Sequence, residues 1–148
     1  PIKTLDEAIE KMKWYIQRWT IELFHKILKS ACAVESAQLR TRDRLIKYIT
    51  MKSVIAWRIF WLSRSFKNNE ELDCNMILTE LEQTILFKRF NNGKQPKKVI
   101  SSTKAYIWIA KLGGYIGRKS DPPPGMISIW CGWSRLMELV EDYKIICG

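Results

Sequence analysis

The stretch Tyr15-Ile16-Gln17-Arg18-Trp19-Thr20-Ile21-Glu22-Leu23-Phe24-His25-Lys26-Ile27-Leu28-Lys29 decides how the rest of the chain is read. As an α-helix at about 100° per residue, it places Tyr15, Arg18, Glu22 and Lys29 within an arc of about 60°. Lys26 joins that edge and His25 lies beside it. Ile16, Ile21, Leu23, Phe24, Ile27 and Leu28 form an apolar stripe on the opposite side, wide enough to dock on a core. A phenol, a guanidinium, a carboxylate and ammonium groups thus share one polar strip, which could hold a metal and a phosphodiester. Spacing alone favours plain solvated charges on a helix edge, so the identity of the residues has to separate the two.

Working outward, a first helix is expected from about Thr4 to Ser30, with Thr4 as its cap and Asp6 and Glu7 complementing the dipole in the first turn. Ala31 to Leu39 is a short connection. Thr41 is a good N-cap for a second helix over about 42–65, basic in its first half (Arg42, Arg44, Lys47, Lys52) and aromatic-rich in its second. Trp57 and Trp61, four residues apart, are expected in the core rather than as base-stacking groups. Lys67 to Asn75 is polar and aperiodic and reads as a linker.

Thr79-Glu80-Leu81-Glu82 is a capping box, predicting a third helix over about 80–90. Asn91 to Lys98, including Lys97, is a small basic loop, read as solvated, with phosphate contact the lesser alternative. Ser102 or Thr103 can start a fourth helix that Gly113-Gly114 ends. Its centre, Ala105 to Ala110, is apolar on nearly every side, which implies deep burial. Arg118 to Gly125, with Pro122-Pro123-Pro124, forms a turn. A last helix over about 126–143 carries Ile129, Trp130, Trp133, Met137 and Val140 at helical spacing. No repeat and no alternating strand pattern is present.

The chain of 148 residues is 47% apolar with seven Trp, the composition of a globular protein. Its net charge of +10 favours polyanions, nucleic acid first and an acidic membrane face second. No apolar run is long enough to span a membrane and the start is not a signal peptide, so the expected location is cytoplasmic. Pro1 in place of an initiator Met reads as the start of an excerpt from something longer, with removal of the Met the lesser alternative. Cys32, Cys74, Cys131 and Cys147 lie far apart without a C-x-x-C pair, and with one histidine a zinc site or disulfide scaffold is not expected. They read as reduced thiols.

Tyr15, Arg18, Glu22 and Lys29 stand in the spacing Y-x2-R-x3-E-x6-K, inside the string R-W-x-I-E-x-F-H-K at 18–26. This resembles the YREK-signature DDE transposases of the bacterial insertion-sequence group-four family, which includes the transposase of transposon five. Val54 to Ile59 with Trp61-Leu62 is similar to the helix that follows the catalytic one in that family. Ile109 to Gly114, Gly117 to Asp121, Pro124-Gly125 and Trp130-x-Gly132-Trp133 resemble its helical C-terminal region. The resemblance covers nearly the whole chain, more weakly from Lys67 to Lys98. One departure is Ser30-Ala31-Cys32, where relatives often have Ser-Gly-Cys; loss of that glycine is expected to alter the turn.

The resemblance implies a mostly α chain: residues 1–66 as the last helices of an RNase H-like catalytic domain, and 67–148 as a small all-α association domain. It implies that Glu22 is the last carboxylate of an Asp-Asp-Glu triad holding Mg²⁺ or Mn²⁺. Tyr15, Arg18, Lys26 and Lys29 would bind phosphates near the cleaved end, with Arg118 and Lys119 a second DNA contact. The two aspartates of the triad come from strands for which there is no room before Glu22, and Asp6 and Glu7 cannot replace them. No cofactor and no cleavage are therefore expected of this chain alone. His25 and Trp19 are read as packing residues. The expected partners are transposon-end DNA and a second copy or a full-length transposase, in a bacterial, nucleoid-associated setting and without membrane. The competing reading is a catalytically inactive helical dimerisation protein that interferes with complete transposase. In either case the uncovered apolar side of the first helix should drive association.

Overall fold

The structure, a computed structural model, describes residues 2, 4–96 and 98–147, with nothing described for the Cys147 side chain. Pro1, and Lys97 of the basic loop, lie outside the described residues. Among the described residues five α-helices follow one another: α1 (Leu5–Lys26), α2 (Arg42–Asn68), α3 (Glu80–Phe90), α4 (Ser102–Leu112) and α5 (Met126–Cys147). Among the described residues there is no strand, in keeping with a mostly α chain.

Two compact units divide after Trp57, inside α2. The last turns of α2 belong with the helices that follow because their side chains are buried there: Ile59, Phe60, Leu62, Ser63 and Ser65. Trp57 and Trp61 are not core residues, being 51% and 37% exposed. The buried face of α2 runs through Ala56, Ile59, Phe60 and Ser63, one position out of phase with the two tryptophans.

In the first unit, Thr4 caps α1 by accepting from the Glu7 N–H at 3.3 Å. Beyond Lys26 the helix widens into a π-turn, Ile27–Ala31, followed by Cys32 and a 3₁₀ turn over Val34–Ser36. Ile27, Ala31 and Cys32 are buried, and the Cys32 thiol lies 3.9 Å from the Lys52 carbonyl oxygen. The residue with left-handed backbone here is Ala33 (φ 49°, ψ 42°), not Ala31. Ala31 therefore needs none of a glycine's freedom. The strain sits two residues later.

The second unit is a helical cluster in which α4 and α5 pack most extensively and α3 lies against both. Thr79 and Glu82 form the expected capping box. Ser101, one residue before the expected start, caps α4 by accepting from the Lys104 N–H. The α4 centre is buried at Ala105, Tyr106, Ile109 and Ala110. Two glycines let α4 and α5 cross backbone to backbone. A Cβ on Gly132 would stand 1.7 Å from the Ile109 carbonyl oxygen, and one on Gly113 would stand 1.8 Å from that of Ser128.

The Pro-rich turn is held from α4 and the segment after it. Tyr106 donates to the Pro124 carbonyl at 3.0 Å, and Tyr115 donates to that of Pro122 at 3.2 Å. Burial pushes the Tyr106 phenol pKa up, so the hydroxyl stays a donor.

Candidate functional site

The polar strip is laid out along α1 because Tyr15, Arg18, Glu22 and Lys26 keep α-helical phase. All four are exposed. Arg18 Nε approaches Glu22 Oε1 at 3.7 Å, an i,i+4 pair whose side chains are 70% and 48% exposed. Such a pair holds the two groups side by side while contributing only about 0.3–0.5 kcal/mol. Lys29 falls within the π-turn, where more residues per turn shift it from the phase set by the four before it. Its ammonium reaches Glu35 Oε1 at 2.8 Å, and the hydrogen bond and charge of that carboxylate raise the lysine pKa.

Glu35 was missed in the sequence reading. It lies in the 3₁₀ turn of a connection that carries no periodic pattern, and Lys29 reaches it from the π-turn. His25 and Trp19 differ from their expected packing roles: His25 is exposed, and Trp19 is 70% exposed. No residue of α1 is buried, and its stripe shows Leu5, Met12, Ile16 and Ile21 to solvent. An apolar face of that extent marks an interaction surface.

The strip is not a metal centre as it stands. Glu22 is its only acidic side chain, and among the described residues no three His, Cys, Asp or Glu side chains gather as ligands. Mg²⁺ and Mn²⁺ require several oxygen ligands, so the residues present do not fit a resident ion.

The second unit holds its own polar centre. Arg58 Nη1 donates to Glu82 Oε1 at 3.2 Å, Nη2 donates to Oε2, and Nε donates to the Ile77 carbonyl at 2.6 Å. Glu82 also accepts from the Thr79 N–H at 2.7 Å, so one carboxylate completes a helix cap and holds a guanidinium. That guanidinium lies 4.7 Å over the ring of Trp133, whose Nε1 is buried with no acceptor among the described residues. The group pins α2, α3 and α5 together.

Arg118 and Lys119 are exposed in the turn before the prolines. The Arg118 N–H donates to Asp121 Oδ2 at 2.8 Å and the Asp121 N–H donates back to the Arg118 carbonyl at 3.0 Å, with Gly117 left-handed at φ 73°. This ordered turn leaves both cationic side chains at the surface.

The second unit is thus a helical cluster pinned through Arg58, Glu82 and Trp133. A family model for the Transposase Tn5 dimerisation domain matches residues 54–146, almost the whole of the second unit. The chain belongs to the Tn5 transposase dimerisation-domain family. Its role is therefore transposase-related dimerisation, with itself or with a transposase as partner. No helix among the described residues is long and apolar enough to cross a membrane.

Proposed function

We propose that this chain is the C-terminal part of a cut-and-paste DNA transposase of the YREK-signature, group-four type. The observation that carries the reading is the family match over 54–146 following, on the same chain, Tyr15, Arg18, Glu22 and Lys29 in signature spacing on an exposed helix. Residues 1–66 supply the last helices of an RNase H-like catalytic domain, and 67–148 supply the association domain. Glu22 is the third carboxylate of the triad. Tyr15, Arg18, Lys26 and Lys29 bind end-proximal phosphates, and Arg118 and Lys119 add a second DNA contact. Mg²⁺ or Mn²⁺ belongs to an assembly that brings two further carboxylates, so no cleavage step is assigned to this chain alone.

The first test is the mass of the native product, by immunoblot of source cells. A product long enough to carry an upstream sheet with two aspartates supports the reading. In that product, Glu22→Gln should abolish excision of the element while leaving the protein folded and associated. Full excision by that variant overturns the assignment.

A second reading is favoured by one observation: the association region is matched, while among the described residues no group of three His, Cys, Asp or Glu side chains gathers at Glu22. The chain then acts as a dimerisation partner that poisons a complete transposase. Co-expression with such an enzyme should reduce excision; unchanged excision rejects it.

A further inference from the structure

We infer that the cleft between the end of α3 and the start of α4 binds single-stranded DNA. The cleft measures about 810 Å³ and carries Lys94, Lys98 and Lys104 on its walls, with no carboxylate among its lining residues. Its apolar floor includes Phe87 and Trp108. Phe90, which does not line the cleft, stacks on the Trp108 indole at 5.5 Å and 9°, and Phe87 meets it edge-on at 5.9 Å. The indole is thus fixed in orientation from within the helical cluster.

The walls are positioned as well. Asn92 and Gly93 turn the chain through left-handed backbone, the Gly93 N–H donates to the Lys88 carbonyl at 2.9 Å, and the Lys94 N–H donates to that of Asn91 at 3.1 Å. The opposite wall is the N-terminus of α4, which adds positive potential next to Lys104. Cations beside a fixed aromatic surface are the two elements that hold single strands: lysines track phosphates, and every base offers a face for stacking. Duplex DNA has no free base face and gains only the charge. A charged protein segment would match the lysines without using the indole, so the strand is the better occupant. The choice of DNA rests on the proposed transposase role; the cleft does not.

The test is fluorescence anisotropy of a labelled oligo-dT with the whole chain across a salt series. The cleft variant K94A/K98A/K104A is compared with a control variant, K67A/K111A/K144A, made on exposed lysines away from the cleft. For single strands log K falls by about 0.7 per neutralised phosphate for each unit of log salt, so the cleft variant should lower that slope by about 2 and weaken binding by about tenfold or more at low salt. A strand bearing one 5-iodo-deoxyuridine should cross-link under ultraviolet light to the tryptic peptide 105–111, which contains Trp108. Equal slopes and affinities for the two variants, or cross-links only to other peptides, overturn the proposal. So does loss of self-association by the cleft variant with DNA binding retained, which would make a second copy the occupant. Sedimentation of the same samples separates the two readings: a wild-type dimer with an inert cleft removes this inference and leaves the dimerisation role standing.

Discussion

Gly113 and Gly132 face each other across the α4–α5 crossing, and a Cβ on Gly132 would lie 2.9 Å from the Gly113 backbone nitrogen. The atoms it would meet are backbone atoms, which cannot swing aside as a side-chain tip can. The crossing is consequently closed to any side chain at either position.

Gly132→Ala should destabilise the second unit by about 3 kcal/mol or more, the upper range for overpacking. Gly125→Ala is the control, because nothing lies within 4 Å of its added Cβ. That change should be neutral or stabilise by up to about 1 kcal/mol. Urea unfolding followed by circular dichroism distinguishes the two, and equal midpoints would contradict the crossing geometry.

Arg58→Ala should cost about 3 kcal/mol, the low end for breaking a buried pair, since the guanidinium is 23% and the Glu82 side chain 7% exposed. Arg58→Lys keeps the charge and loses the fork, so its midpoint should fall between those of wild type and Arg58→Ala. A Lys variant no better than Ala would mean that charge contributes nothing there.

Burial pushes the Cys32 and Cys74 thiols up to about 11, with nearby carboxylates adding to the rise at Cys74 and Lys52 opposing it at Cys32. At pH 8 only about one in a thousand of each is thiolate, so iodoacetamide should label the exposed Cys131 first and these two only after unfolding. The neutral form is favoured in the folded state. Stability from both thiols is therefore complete below their ordinary pKa of 9.0 and lost as pH climbs towards about 11. Thermal midpoints across that alkaline window, with Cys32→Ala/Cys74→Ala as reference, check the sign.

Ala33→Gly should stabilise the first unit by up to about 1 kcal/mol by relieving left-handed backbone. Ala31→Gly should destabilise, because Ala31 is buried in a π-turn with no positive φ. Thermal melts of the two variants should therefore move in opposite directions; a gain from the second would place the strain at residue 31.

Much of the helical layout was legible in the sequence because its signals are local. Thr79 with Glu82 fixes the start of α3 and the Asn-Asn-Gly turn fixes its end, while a run apolar on every side reveals the buried α4. The spacing of Tyr15, Arg18, Glu22 and Lys26 on one helix edge follows from the same local arithmetic. What stayed hidden depends on partners distant in sequence. Lys29 meets Glu35 through a π-turn that no periodicity announces, and Arg58 meets Glu82 from another helix. Trp57 and Trp61 misled because aromatic content signals burial only when the helix turns that face inward. The glycines at 113 and 132 looked like a helix stop and a motif letter; that they face each other is a tertiary fact.

One carboxylate at residue 82 holds both a helix end and a guanidinium, which fixes the polarity of the pair. Exchanging the two charges, Arg58→Glu with Glu82→Arg, would keep their attraction and still leave the Thr79 N–H without its acceptor. Positions 58, 79 and 82 are thus not free to drift one at a time. A reciprocal swap therefore does not restore what Glu82 supplies to the helix end.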